Sequence, residues 1–500
     1  MSGPTYDVFL SFCGPDRPFG RKLALQLRTL GLQVFLDEDD IEPFASITDT
    51  IAAALSRAKA LVAYFSRRYA DRPACQQELM SAFLAGQCEG DPCGRIMVIN
   101  PEPGTDHLRP VHLADAKFLR THEPVAELAL QISKRTSELE STIGEVQPRH
   151  RGGPALAQRV HLRHFTGRWR ELWDLHSALH AADYPMVVEA ECGSVAWICG
   201  LPGAGKTALA TAYAWRFSSA YPGGVHWLSM RSTGSASPAI RSTPESLWVI
   251  DDIPEDADLD PIDALLLAAH PSAKVILIGR EDVTRGMLPV VRVGPLPLAD
   301  AVAVLDHYRV PDDVMDSTAR ELVIRSLGGN AGALTAVGER LMDRQGAESY
   351  VSQAAQIDVG PQLDRLLADV RTVIDRMTAP ELRLLRAAQA SGIRALPLPP
   401  PAAISACVGT DVASTLRQLQ VRGVARRNGR VWVLDPLVLL VVGRDPDEQR
   451  WSRRAASPRP ERRAGAAARH QWRLFTPTVR PELVRELDVG VIPNHPGTGA

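Results

Sequence analysis

Apolar positions in the first part of the chain switch repeatedly between strand-like runs and a helical spacing. Tyr6–Ser11 is a short apolar run. Phe19, Leu23, Leu27 and Leu30 follow at helical spacing, and Gly31 is placed to end that helix. Leu32–Leu36 predicts a second strand, and Ile47, Ile51 and Leu55 mark one face of a second helix. Ala60–Phe65 and Arg95–Ile99 read as further buried strands. This order predicts a parallel sheet with helices on both faces. Ligands of such sheets sit beyond the carboxyl ends of the strands. Ser11, Phe12, Asp37 and Ser66 fall there.

The periodicity lapses over 141–160, where Gly, Pro and Arg suggest a linker. A second α/β region runs from about 161 to 293, with strands at Val195–Cys199, Val225–Ser229, Leu247–Ile250 and Lys274–Ile278. Residues 295–345 read as helical. In 370–443, helices precede a hairpin. Asp411 is placed to cap a helix that stops near Gly423, and Asn428-Gly429 forms the turn between Val424 and Val431–Leu434. Helices with one such wing predict a winged-helix module. Residues 451–473 hold seven Arg and one acid, a composition that predicts poor order. No repeat of 20–50 residues is visible.

Composition narrows the function classes. The chain has 500 residues, 45% hydrophobic and 23% charged, with a formal net charge of -2. That length predicts several domains. That charge gives no overall pull toward nucleic acid or anionic membrane. Seven cysteines without a CxxC pair argue against a disulfide framework or zinc site and for a reducing compartment. Neither a signal peptide nor a membrane-spanning run is read, so a cytoplasmic location is expected. Arg greatly outnumbers Lys, a composition read as genomic in origin. One of the few lysines, Lys206, sits in the strongest motif.

That motif is Gly200-Leu201-Pro202-Gly203-Ala204-Gly205-Lys206-Thr207. It fits G-x-x-x-x-G-K-[ST] between an apolar strand and a helix expected over Ala208–Phe217. Gly200, Gly203 and Gly205 let backbone N–H groups curl around phosphate, and the helix N-terminus with Ala208 adds positive potential. Lys206 is expected to bridge the terminal phosphates, and Thr207 to ligate magnesium. Leu247-Trp248-Val249-Ile250-Asp251-Asp252 is the partner strand. Asp251 is expected to hold the metal through water, and Asp252 to orient an attacking water.

From about 161 to 443 the chain resembles the STAND/NB-ARC ATPases. Gly167-Arg168 resembles that family's motif on the adenine side, and Arg280 its arginine sensing the terminal phosphate. Leu327-Gly328-Gly329-Asn330 resembles the start of its GGNPLAL segment, with Ala331 and Gly332 in place of proline and leucine. Asp435 matches its Met-His-Asp, with Leu434 in place of histidine. The resemblance implies ATP/ADP and Mg2+ as cofactors.

Tyr6–Asp16 resembles the YDVFLSFRGED opening of TIR domains. Phe35-Leu36-Asp37 and Ile41–Ile47 resemble their second strand and BB loop, and Cys75-Gln76-Gln77-Glu78-Leu79 their CxxEL helix. This resemblance implies NAD as substrate, cleaved at the nicotinamide–ribose bond. Glu78 occupies the catalytic position, and Phe12, Asp37 and Ser46 are placed on loops facing the pocket. Ala74 stands where many members have tryptophan, Cys13 replaces an arginine, and Phe44 replaces a glycine.

The expected fold is therefore a multidomain α/β chain. It comprises a flavodoxin-like TIR domain (1–138), a linker (139–160), a P-loop α/β NTPase domain (161–293), a helical domain (294–369), a winged-helix domain (370–443) and a tail (444–500). Three functions remain open: a nucleotide-gated NAD hydrolase, a TIR adaptor without catalysis, and a DNA-binding regulator. Expected partners are further copies of the chain, through its TIR and NTPase domains, and a trigger or sensor protein. Nucleic acid and membrane are not expected.

Overall fold

The computed structural model describes residues 5–36, 47–145, 165–180, 194–230, 245–254, 272–281, 288–342, 349–355, 361–397, 399–400, 402–408 and 411–444. Asp37, Phe44, Ser46 and the Arg-rich tail from 445 onward lie outside them.

The first sheet contains β1 (Tyr6–Ser11), β2 (Val34–Phe35), β3 (Ala58–Tyr64), β4 (Ile96–Asn100) and β5 (Leu119–Arg120). All are parallel, in the order β2-β1-β3-β4-β5. That is the flavodoxin-like order, whose switch point lies between β1 and β3. The flanking helices are α1 (Arg17–Thr29), α2 (Ile47–Ser56), α3 (Arg67–Ala70), α4 (Pro73–Cys88), α5 (Val111–Asp115) and α6 (Val125–Ser137). Gly31, at φ +87°, follows α1 in the left-handed conformation that ends many helices. Strand alternation divides the core: Val8 and Leu10 pack with Leu23, Leu27 and Ile132, while Phe9 packs on the other face with Leu79 and Phe83.

The start of the expected linker stays on this sheet. Ile143 and Gly144 donate their N–H groups to the Ala58 and Ser56 carbonyls at 2.7 and 2.8 Å. Arg95 reaches the Ser141 carbonyl at 2.6 Å.

After α7 (Trp169–Leu179) comes the second sheet, with α8 (Lys206–Arg216) following its first strand. Its strands are β6 (Val195–Cys199), β7 (Val225–Ser229), β8 (Leu247–Asp251), β9 (Lys274–Ile278) and β10 (Val290–Arg292). They are parallel, in the order β10-β6-β9-β8-β7. One strand, β9, therefore separates the loop-bearing strand β6 from the acid-bearing strand β8. A single buried apolar cluster runs from Phe9, Leu79 and Phe83 through Trp173 to Ile198 and Tyr213. The two sheet domains share a core.

The remaining elements are α9 (Leu298–Tyr308), α10 (Val314–Ser326), α11 (Ala331–Met342), α12 (Tyr350–Ala355), α13 (Pro361–Asp375), α14 (Ala379–Ala390), β11 (Ala395–Pro397), α15 (Ala402–Val408), α16 (Val412–Val421), β12 (Ala425–Asn428), β13 (Val431–Leu434) and α17 (Pro436–Gly443). They build one core that includes Leu334, Leu385, Leu416 and Leu437. Asp411 caps α16 by accepting from the Ala413 and Ser414 N–H groups at 3.0 and 3.2 Å. The hairpin β12–β13 gains a third strand, β11, which the sequence pattern does not mark. Helix α13 runs across the boundary expected near residue 369. Among the described residues no helix is long and apolar enough to cross a membrane.

Candidate functional site

The P-loop closes around its own lysine. Gly203 (φ +72°) and Gly205 (φ +97°) hold left-handed conformations, and α8 begins at Lys206, two residues before the helix start read from the sequence. Lys206 Nζ donates to the Gly200 and Leu201 carbonyls at 2.8 and 3.0 Å. Burial pushes its pKa down to about 8, helped by the Arg280 charge. Thr207 Oγ1 donates to Asp251 Oδ1 at 3.3 Å, and Asp251 is 3% exposed. A hydroxyl and a carboxylate thus converge beside the lysine, a donor set that suits a hard divalent cation. Asp252 sits at φ +60° and accepts from Ser229 Oγ at 3.0 Å. A strained backbone of this kind persists only where its surroundings hold it.

A cavity of 310 Å³ opens here, lined by Lys206, Thr207, Asp251, Asp252, Arg280 and Arg376. Arg280 ends the segment after β9, as expected, but it donates to Thr372 Oγ1 and Asp369 Oδ1 of α13 at 2.8 and 3.4 Å. Arg376 was not marked by any motif; it reaches the cavity only because α13 folds over it. A second cavity of 340 Å³, lined by Phe165, Arg168, Ala208, Leu296, Tyr308 and Glu339 among others, lies on the far side of the loop. Gly167 (φ +65°) leaves no room for a side chain, because a Cβ there would lie 2.0 Å from Asp300 Oδ2. Arg168 turns inward instead of toward that cavity's centre, donating to the Ala204 and Gly294 carbonyls at 2.9 and 2.7 Å.

The GGN segment clasps the loop from outside. Asn330 Nδ2 donates to the Pro202 carbonyl at 3.0 Å, and its Oδ1 accepts from the Ala333 N–H at 3.1 Å. The Gly332 N–H donates to the Gly203 carbonyl at 2.7 Å. A Cβ on Gly332 would approach Gly203 Cα to 2.9 Å, so the glycine that replaces leucine permits this approach. Asp435 caps α17 by accepting from the Leu437 and Val438 N–H groups, and burial raises its pKa to about 6.

In the first sheet, a separate polar cluster stands at the end of β1. Ser11 Oγ donates to Glu78 Oε2 at 2.5 Å and lies 2.9 Å from Tyr69 Oη. Tyr69 Oη donates to the Cys75 carbonyl at 3.2 Å. Burial raises the Tyr69 pKa well above its ordinary value, and the Cys75 and Glu78 charges add to this. Glu78 is half-buried while Ser11 is 2% exposed. Ser66 Oγ donates to Asp16 Oδ2 at 2.7 Å. The Phe12 ring lies over Gly20 of α1, where a Cβ would meet it at 2.8 Å. Phe12 packs on the face that buries Leu10, opposite the Phe9 face. The structure therefore joins Ser11, Tyr69, Cys75 and Glu78, and carries the Phe12 ring elsewhere.

Residues 8–129 match the family described as TIR domain; the N-terminal segment is a TIR domain. Among solved structures, the TIR domain of the Toll-related receptor TRR-2 from Hydra magnipapillata is 17% identical, with 27% of this chain and 97% of that chain covered at a TM-score of 0.21. A Walker-type ATPase of Pyrococcus abyssi is 15% identical, covering 55% and 94%, at 0.33. A Signal Transduction ATPase with Numerous Domains, bearing a tetratricopeptide repeat sensor, from Pyrococcus horikoshii is 14% identical, covering 56% and 45%, at 0.24.

Proposed function

We propose that the chain is a nucleotide-switched signalling protein of the TIR–STAND type, in which ATP-dependent assembly activates NAD cleavage by the TIR domain. The observation that carries this reading is the Ser11–Glu78 hydrogen bond at the β1 end of the switch point. A carboxylate held there favours the oxocarbenium-like state of a ribose. Nicotinamide already carries a positive charge, so it departs with the bonding electron pair and needs no acid. Water then adds to the ribose carbon and releases one proton, giving ADP-ribose and nicotinamide. One carboxylate suffices, unlike the paired acids of most glycosidases.

Lys206, Gly200, Gly203 and Gly205 are the proposed cradle for ATP or ADP phosphates, and Arg280 the sensor of the terminal phosphate. Thr207 and Asp251 would hold Mg2+, which when bound neutralises phosphate charge. The cavity beside Phe165, Gly167, Arg168, Ala208 and Tyr308 would take the base. Asp252 would orient water. Asp37 and Ser46 remain proposed NAD contacts on resemblance alone; Phe12 could contribute only its backbone in the conformation described.

The test is nicotinamide release by the full chain with ATP, magnesium and NAD. Release is expected in wild type and absent in Glu78→Ala; undiminished release in that variant removes Glu78 from the mechanism. A second reading, a TIR adaptor that assembles without consuming NAD, is favoured by Ala74 and by the packing of Phe12 against α1. Oligomers that form with ATP and leave NAD intact would select it.

A further inference from the structure

Helix α7 touches both sites. Its N-cap is Arg168, whose guanidinium donates to the P-loop carbonyl of Ala204 at 2.9 Å. Eleven residues make it about 16 Å long at 1.5 Å per residue. Along that length it packs into the TIR domain. Trp173 Nε1–H donates to Gln76 Oε1 at 2.8 Å, with both residues buried. The Phe83 ring meets Trp173 and His176 edge-on, each at 5.4 Å between centroids. Arg109 Nε donates to Asp174 Oδ1 at 2.6 Å, and the Val111 N–H donates to Ser177 Oγ at 3.2 Å.

Gln76 continues the contact toward Glu78. Its Nε2 donates to the Tyr69 carbonyl at 3.0 Å. Tyr69 Oη lies 2.9 Å from Ser11 Oγ, which donates to Glu78 Oε2. Polar groups in such a buried chain are costly to leave without partners, so displacing one end disturbs the rest. Gln76 and Glu78 also share α4, so whatever anchors Gln76 anchors the carboxylate's backbone.

We propose that α7 is the docking element that clamps the Glu78-bearing helix onto the nucleotide domain, with Trp173 and Gln76 as positioning residues, and that this docked arrangement is the held state. Two features mark it as held. Lys206 is folded onto Gly200 and Leu201, and Arg280 is tied to α13 instead of facing phosphate. Arg422 also bridges Glu281 and Glu381 at 2.5 and 3.0 Å, locking the winged-helix part onto the nucleotide domain. A second TIR copy has no access to the Gln76–Phe83 face while α7 occupies it. For its enzymatic readout the inference rests on the NAD reading above; its docking readout does not.

The experiment uses the full chain, Trp173→Phe and the rim variant Asp174→Arg, which disrupts docking without emptying the core. Backbone hydrogen exchange over 73–88 is measured with ADP and with ATP, beside nicotinamide release. ATP is expected to accelerate exchange in 73–88 of wild type. Both variants are expected to show that acceleration already with ADP, by about tenfold for the loss of one buried hydrogen bond. Their NAD cleavage with ADP should rise toward the ATP level, whereas a merely structural defect would lower cleavage with both nucleotides. Adding Gln76→Leu to Trp173→Phe should change exchange by less than the sum of the two single effects. Faster exchange without NAD cleavage in any variant upholds the clamp and overturns the hydrolase reading. Exchange that ignores both the nucleotide and the substitutions overturns the clamp.

Discussion

The two parallel sheets each present a site beyond a central strand, but the P-loop site comes from one run of backbone and the TIR site from scattered side chains. Gly200–Thr207 forms its cradle largely by itself, and neighbours such as Asn330 brace it from outside. The TIR cluster draws Ser11 from β1, Tyr69 from α3 and Glu78 from α4. A contiguous loop keeps its geometry when neighbouring elements shift. An assembled cluster is only as well placed as the packing of the helices that carry it. This difference makes the TIR site the one that docking can control, and the P-loop the natural controller.

Four changes break or sharpen that contrast. Glu78→Gln is expected to lower nicotinamide release by about 10³-fold, the scale of losing a charge that stabilises the transition state. Calorimetry should find its ATP affinity unchanged; a loss in both would erase the separation of the sites. Lys206→Ala is expected to weaken ATP binding by at least about 10²-fold, for two charge-assisted hydrogen bonds to phosphate. Its hydrogen exchange over β1 and β3 should match wild type.

Gly332→Leu is smaller. It supplies the side chain found in the related ATPases, yet here it presses against Gly203 at 2.9 Å. Overpacking of this kind should weaken ATP binding about tenfold, as read by displacement of a fluorescent nucleotide; improved binding would refute the clasp by Gly332. The smallest effect is on pH. Burial holds His176 neutral, its pKa lowered well below 6.5, with His180, His112 and Lys274 charges adding to this. Tyr213 Oη faces its Nδ1 at 3.0 Å, and Phe83 and Phe217 pack on the ring. As pH falls below 6.5 the unfolded or undocked state takes up the proton first, so docking weakens in acid and is fully present above that pH. Exchange over 169–179 should rise a few-fold between about pH 7 and 5.5 in wild type and stay flat in His176→Gln.

The same contrast explains what could be read before the fold was seen. The P-loop was legible because its chemistry is local: glycines, lysine, hydroxyl and the preceding strand are adjacent in sequence. Glu78 was legible through its CxxEL setting. The Phe12 side chain was placed on the wrong side of the question, although β1 alternation already separates Phe9 and Ser11 from Leu10 and Phe12. Trp173–Gln76, Asn330–Pro202 and the approach of Arg376 to Lys206 join residues far apart in sequence. No periodicity or composition encodes such pairs; only tertiary packing does. The third wing strand β11 was missed because three residues with two flanking prolines carry no alternation.

The most direct test is an ATP titration of NAD cleavage by the full chain, run beside ATP binding on the same preparation. Half-maximal nicotinamide release should coincide with half-saturation of the P-loop, and both should move together in Lys206→Ala. Release that stays constant from zero to saturating ATP would contradict control of the TIR site by the nucleotide site.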